Sequence, residues 1–273
     1  MVRPVPKRIA LRTACLLAVC AVASASADAS TSMVSTNWSG YAVTSKTGGS
    51  FKKVSGTWVV KKPDCATRSP SYSASWVGIG GFGEHAQSLE QIGTDADCSA
   101  SGQRRYRAWY ELLPADGRNL AMKIHAGDRI SASVEVQGAS VKLRLHNRTT
   151  GAKFAKTAST SAPDVTSAEW IVEAPSSCDE NDNCFILPLS DFGTVPFSGA
   201  SVTMRNGTTK TISNSSFTAW RIKMRTAGTK AFSSDGATAS LLSSGGTAFS
   251  VTYRRQVARP SNRARTLARS AAH

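Results

Sequence analysis

The sequence predicts an all-β fold, a single antiparallel two-sheet β-sandwich spanning residues 33–253, and three observations carry that prediction. Short β-branched and aromatic runs recur along the chain, Gly, Asn, Ser and Asp clusters separate them at sandwich-like intervals, and hardly any window has a helical period. The chain has 273 residues, of which about 246 remain once a leader is removed. That length fits one all-β domain better than two.

The leader comes first. Arg3, Lys7, Arg8 and Arg12 form a basic start, Ala14 to Ala23 is an apolar run too short to span a bilayer, and Ala25-Ser26-Ala27 is a small-residue cleavage signal. Residues 1–27 are therefore expected to be a signal peptide, cut near Ala27, and the protein to be secreted. Removing four basic residues and no acidic one lowers the net charge from +15 to about +11. Much of the excess lies in residues 254–273, where Arg254, Arg255, Arg259, Arg263, Arg265 and Arg269 stand among Pro, Ser and Ala. Such a tail is expected to be disordered. No aromatic residue is interleaved in it after Tyr253, and with a secretion signal upstream no nucleic-acid partner is expected.

After a short polar lead, 28–32, the strands follow in order: 37–43, 51–60, 73–79, 106–112, 130–136, 141–145, 169–172, 201–204, 217–224 and 249–253. Each alternates polar with apolar residues or is rich in Val, Ile, Thr and aromatic side chains. Gly138-Ala139-Ser140 and Arg205-Asn206-Gly207 read as hairpin turns. Gly78 to Gly83 follows a strand but lacks the helix and the Lys-Ser/Thr of a phosphate loop, so it reads as a turn. Cleavage after Ala27 leaves Cys65, Cys98, Cys178 and Cys184, an even number in an oxidising compartment. Three pairings are possible. Cys178 with Cys184 looks like a local clasp, and Cys65 with Cys98 would then be the longer tie.

Nucleophile chemistry is poorly represented. No Gly-x-Ser-x-Gly elbow exists, the cysteines are taken up as disulfides, and the four histidines show no metal-ligand spacing. What remains are polar residues set in aromatic strands. In Ala168-Glu169-Trp170-Ile171-Val172-Glu173, period-two alternation puts Glu169, Ile171 and Glu173 on one face and Trp170 and Val172 on the other. The ordinary reading of that acidic face is a solvated surface. Trp58, Trp76, Trp109 and Trp170 are each ordinarily core residues, and Gln91 alone is ordinarily a surface amide.

Taken together, an ordered set of segments resembles the glutamic peptidases, or eqolisins, over about residues 36 to 225. The set begins with Asn37-Trp38-Ser39-Gly40, Val54 to Val60, Trp76-Val77-Gly78-Ile79 and Gln91-Ile92-Gly93-Thr94-Asp95. It continues with Ala108 to Pro114, Asn147 to Gly151, Ala168 to Glu173 and Asp191 to Phe197. The resemblance implies a concanavalin-like two-sheet sandwich and a secreted acid endopeptidase of bacterial type, without a long propeptide. It implies a catalytic pair at Gln91 and Glu173, with Glu169 as the reserve carboxylate. Trp38, Trp76, Asp95, Trp109 and Glu111 would bind substrate. Protein or peptide substrates, no cofactor, no metal, no membrane span and a monomer are expected.

Those residue types suit peptide hydrolysis. A glutamate can take a proton from water and return it to the leaving nitrogen, and a glutamine N–H can stabilise the oxyanion without a change of charge. A carboxylate near its reference pKa of about 4.3 places that chemistry in acid. The sequence departs from fungal members at Gly80 and Arg107, where they carry acids, at Leu113, where they carry an aromatic, and by one extra residue between Trp76 and Gln91. A glycoside hydrolase using paired carboxylates, Glu111 with Glu173 or Glu169, is the alternative enzyme. It leaves Gln91 without a role. A non-catalytic sandwich that binds sugar or peptide on its tryptophans is the other alternative.

Overall fold

The computed structural model describes residues 30–255 except 68, 84, 85, 87, 182 and 227–234. The expected signal peptide and almost all of the arginine-rich tail lie outside the described residues. The strands are β1 (Thr31–Ser35), β2 (Trp38–Ser45), β3 (Phe51–Val59), β4 (Ala74–Gly80), β5 (Leu89–Cys98), β6 (Arg104–Leu112), β7 (Ala115–Asn119), β8 (Arg129–Gln137) and β9 (Ser140–Asn147). They continue as β10 (Lys153–Ser159), β11 (Ser167–Glu173), β12 (Ser176–Cys178), β13 (Cys184–Ile186), β14 (Thr194–Met204), β15 (Thr209–Lys210), β16 (Phe217–Arg225), β17 (Gly236–Ala239) and β18 (Phe249–Arg254). The first strand thus begins at Thr31, within the segment expected to be a polar lead. The glycine run is strand as far as Gly80 and turns only beyond it. Among the described residues no helix is long and apolar enough to cross a membrane.

The hydrogen-bonded ladder runs β10-β9-β8-β3-β14-β18-β17-β16-β2-β11-β4-β5-β6-β7 and folds back on itself. One layer, β16-β2-β11-β4-β5-β6-β7, packs against the other, β10-β9-β8-β3-β14-β18, as the resemblance implied. Fourteen strands give the path, and β1 adds a parallel edge to β16 while β15 pairs with β14. Between the layers lies the main core, with Tyr41, Phe51, Trp58, Trp170, Phe197 and Phe249 at or near zero exposure. Trp58 and Trp170 pin the layers with their polar ends. Trp58 Nε1 donates from β3 to Thr94 Oγ1 on β5 at 2.9 Å, and Trp170 Nε1 donates from β11 to the Ser55 carbonyl on β3 at 2.8 Å. A buried indole N–H left unpaired would cost about 1–3 kcal/mol, so these bonds select one sliding position of the layers.

A second, smaller apolar cluster covers the far side of the first layer: Ala42, Ala74, Trp76, Leu89, Ile171 and Ile222, with Trp38, Phe82, Trp109 and Trp220 packed on it. That face therefore does not meet water as an ordinary outer face would, which sets the environment of every polar side chain on it.

Both disulfides form as Cys65–Cys98 and Cys178–Cys184. The second closes the β12–β13 hairpin, where the two cysteines face each other in register. The first ties the loop after β3 to the end of β5 across a separation of 33 residues. By loop-closure entropy, replacing Cys65 and Cys98 with serine is expected to cost about 3–4 kcal/mol. The check is the urea midpoint of the wild type against the double variant.

Candidate active site

Strand register gathers the sequence-predicted residues on the second apolar face. Directly paired residues share a face. One row runs Trp38, Glu173, Ala74, Asp95, Arg107 across β2, β11, β4, β5 and β6. The next runs Gly40, Ile171, Trp76, Gly93, Trp109, and the third Ala42, Glu169, Gly78, Gln91, Glu111. Trp38, Trp76, Gln91, Asp95, Trp109, Glu111, Glu169 and Glu173 thus all project from one surface. Gly93 makes the floor between two indoles: a Cβ there would lie 2.7 Å from Trp76 Cβ and 3.0 Å from Trp109 Cζ2. The Trp38 and Trp76 rings meet edge to face, 5.0 Å between centroids.

The two glutamates of β11 differ sharply. They are four residues apart, about 13 Å along the strand, and neither stands on the solvated surface that the isolated hexapeptide suggested. Glu173 is partly exposed, and its oxygens are separately held. Trp76 Nε1 donates to Oε2 at 2.7 Å and Asn37 Nδ2 donates to Oε1 at 3.1 Å. Burial lifts its pKa to about 7, opposed by hydrogen bonds from Trp76, Trp38 and Asn37 and reinforced by the Glu111 charge. Glu169 is wholly buried, and neither oxygen has a partner of full hydrogen-bond geometry. The Ser167 hydroxyl beside it only partly offsets the burial that drives its pKa well up. Trp76 Cζ3 and Leu89 Cδ1 cover Gly78, which lies between Glu169 and Gln91 in the third row.

Gln91 is 4% exposed. Its Nε2 donates to Glu111 Oε2 at 2.6 Å, and its Oε1 is buried with no partner among the described residues. Burial also raises Glu111, while the Gln91 amide and the Gly117 backbone N–H favour its charged form. Burial raises Asp95 as well, opposed by the Arg107 charge and, more weakly, by the Trp109 indole N–H, which faces it without full hydrogen-bond geometry. The Gln91 amide oxygen and the Trp109 indole N–H thus lie buried without a partner of full hydrogen-bond geometry beneath a tryptophan-lined face.

The departures have local causes. Gly80 adopts φ +83°, and a Cβ there would come within 2.7 Å of the Asp164 carbonyl oxygen and 2.9 Å of that of Ser88. No aspartate fits that backbone. Arg107 clamps two acids of β5, its Nε 3.1 Å from Asp95 Oδ2 and its Nη2 2.7 Å from Asp97 Oδ2. Sequence reasoning missed Asn37 as a partner of Glu173, because a contact 136 residues away in sequence leaves no local pattern. It also missed Glu90, which is wholly buried on the neighbouring position to Gln91 and raised to about 7 by burial and by Asp164.

Six carboxyls of this region, Glu90, Asp95, Asp97, Glu111, Glu169 and Glu173, hold their protons to higher pH than they would in the unfolded chain. Between about pH 4 and the values near 7 of Glu90, Asp97 and Glu173, the native state therefore binds more protons than the unfolded state. Stability is full below that window and falls as pH rises through it. Thermal melts are expected to give a higher Tm at pH 4 than at pH 7. Glu90→Gln should flatten that slope, whereas a Tm that rises toward neutrality would refute the account.

Comparison with known proteins agrees with the fold and the family resemblance. The model of the Peptidase A4 family matches residues 36–249. Among curated proteins no sequence match is found. Among solved structures the chain is similar to scytalidoglutamic peptidase bound to a peptide-based transition-state analogue, with 28% identity and a TM-score of 0.64 over 81% of this chain and all of the other. It is similar to SCP-B, an eqolisin in complex with the tripeptide Ala-Ile-His, with 28% identity and a TM-score of 0.62 over the same shares. It also matches aspergilloglutamic peptidase from Aspergillus niger, with 30% identity and a TM-score of 0.53 over 67% of this chain and 99% of that one. A family match across most of the chain, on a sandwich that brings the motif residues to one face, means that this protein belongs to the Peptidase A4 family, the glutamic peptidases or eqolisins.

Proposed function

We propose that this protein is a secreted endopeptidase that hydrolyses peptide bonds in mildly acid solution through Glu173 and Gln91. The observation that carries this reading is Glu173 itself: a partly exposed carboxylate, on a tryptophan-lined face, with both oxygens fixed by indole and amide donors. A carboxylate so held loses little rotamer freedom on the way to the transition state and keeps lone pairs free for water. Glu169, which is fully enclosed and walled from Gln91 by Trp76 and Leu89, is set aside as the reacting group.

In this mechanism ionised Glu173 takes a proton from a water molecule as its oxygen attacks the peptide carbonyl carbon. The carbonyl oxygen becomes an oxyanion and accepts a hydrogen bond from the Gln91 amide. Glu111, which already accepts one N–H of that amide at 2.6 Å, fixes its plane. Protonated Glu173 then gives its proton to the peptide nitrogen, and the C–N bond breaks to leave a carboxyl and an amine. Trp38, Trp76 and Trp109 offer apolar walls to the substrate, with Asp95 and Glu111 as polar partners. The neighbours bound to peptides or peptide analogues support a peptide substrate. Sulfur bridges and the expected leader support secretion, and the enzyme is expected to act as a monomer.

The pKa of Glu173 revises the expectation of a group near 4.3. A base raised to about 7 by burial is mostly protonated in strong acid, so activity should rise with pH on the acid side with an apparent pKa above 4.3. Falling stability limits the other side. The working range lies between the two.

Hydrolysis of a denatured protein across pH 2 to 8, with a chelator and an aspartic-peptidase inhibitor present, tests the proposal. Gln91→Ala is expected to lose about 10²–10³ in kcat, and Glu173→Gln to lose nearly all activity. Activity that survives in Glu173→Gln but vanishes in Glu169→Gln would assign the reaction to the other glutamate. Survival in Gln91→Ala would favour a carboxylate pair. Asn37→Ala removes one donor to Glu173 and is expected to move the acid limb upward by about one unit, the value of one charge-assisted hydrogen bond. An unmoved limb would show that Asn37 only packs.

A further inference from the structure

The layer opposite the active face carries a groove that peptide hydrolysis does not use. It is a shallow depression of about 510 Å³ on the outer side of β3, β8, β9 and β10, with Gly199 at its border. The register shift in β14 between Ser198 and Ser201 lies beside it. Four hydroxyls form its floor. Ser55 and Thr57 on β3 pair with Ser133 and Ser131 on β8, making a block with about 4.8 Å between strands and about 6.8 Å along them. Thr57 Oγ1 and Ser131 Oγ lie 2.9 Å apart, and Arg148 Nε donates to Ser131 Oγ at 3.2 Å.

Basic side chains make the rim. Arg144 and His146 extend the two hydroxyl rows on β9, Lys153 follows on β10, and Lys53 and Arg148 close the ends. No carboxylate lines the groove. Glu135, the cross-strand neighbour of Lys53, stands at the border and pairs with Lys52 at 3.9 Å and Arg144 at 3.6 Å, while Lys53, Arg148 and Lys153 make no salt bridge among the described residues. The unbalanced field is visible at His146, whose pKa is lowered by desolvation and then by the Arg148 and Lys153 charges. An ordinary solvated sheet face mixes signs so that neighbours pair. Here one acid stands at the border against five basic side chains around a hydroxyl floor, a net positive arrangement that favours bound anions.

We propose that this groove is a docking site for a polysaccharide bearing sulfate or phosphate esters, held by ester oxygens on the cationic rim and by sugar hydroxyls on the Ser/Thr floor. Ester anions of this kind keep their charge in mild acid, where a carboxylated polymer is partly neutralised. Beside the His146 imidazole the aromatic ring in its lining is Phe154, which is half-buried and stacked on Tyr110, so the groove offers little on which unstacked bases would lie. Docking here would leave the tryptophan-lined face free, because the two lie on opposite sides of the sandwich.

The test is binding of the full secreted protein to dextran sulfate at pH 5 over a salt series, with neutral dextran and duplex DNA as parallel probes. Wild type is compared with Lys53→Gln/Arg148→Gln/Lys153→Gln and with Lys62→Gln/Lys223→Gln/Arg225→Gln, which removes the same charge from exposed positions elsewhere. The groove variant is expected to bind at least about tenfold more weakly and to lower the slope of log K against log salt by about three, one per cation. The control variant should stay close to wild type, and both should keep wild-type peptidase activity and Tm. Ser131→Ala/Ser133→Ala, which changes no charge, should also weaken binding. Equal losses in the two charge variants would overturn the proposal in favour of diffuse charge, including the arginine-rich tail. Duplex DNA bound as tightly as dextran sulfate would overturn it in favour of a nucleic-acid surface, and no binding to dextran sulfate would remove the site.

Discussion

The hydrogen bond from the Trp76 indole to Glu173 is where fold and chemistry depend on each other. Trp76 is fully buried, lies against Trp38 and covers Gly78, so its N–H cannot turn away without opening the apolar cluster of that face. The carboxylate that accepts the bond is fixed with the same stiffness as the cluster. Asn37 holds the second oxygen, and it is itself placed by the corner between β1 and β2, where Ser35 Oγ accepts the backbone N–H groups of Asn37 and Trp38 at 3.3 and 3.1 Å. The parallel edge strand thus serves the site by setting this corner, a role its sequence does not advertise.

The same face shows how one physical cause acts in two directions. Moving carboxyls out of water raises their pKa values, which in the proposed mechanism strengthens Glu173 as a base and makes the native state a store of protons in acid. Strength as a base and stability then have opposite pH slopes. Arg107 moderates this beside the floor by giving Asp95 and Asp97 a cation. Arg107 thus makes that end of the face paired rather than repulsive.

The fold was largely legible, because alternation and turn residues are local properties and a sandwich is built from them. The strands at 51–60, 130–136, 141–145 and 217–224 and the two hairpin turns stand where the pattern put them. The short exposed strands β7 and β10 are not in the sequence pattern, since partner pairing alone defines them, and neither is the buried β5 that carries Gln91, whose acidic and glycine residues hide its strand character. The site residues were legible only as an ordered set of motifs. Register brings all of them to one face, yet their environments were not in the pattern. Nothing local tells Glu169 from Glu173 on the same face of the same strand. What separates them is Leu89, Trp76 and Asn37, each supplied by another strand or corner.

The amide of Asn37 has one further consequence. Asn37-Trp38-Ser39 is an acceptor sequence for N-linked glycans, and its side-chain nitrogen is the atom that donates to Glu173. A sugar joined to that nitrogen would take one of its two hydrogens and disturb the bond to Glu173. In the proposed mechanism a glycan at this position would therefore oppose activity, and a host that glycosylates such chains would yield a mixture whose specific activity reports the unmodified fraction.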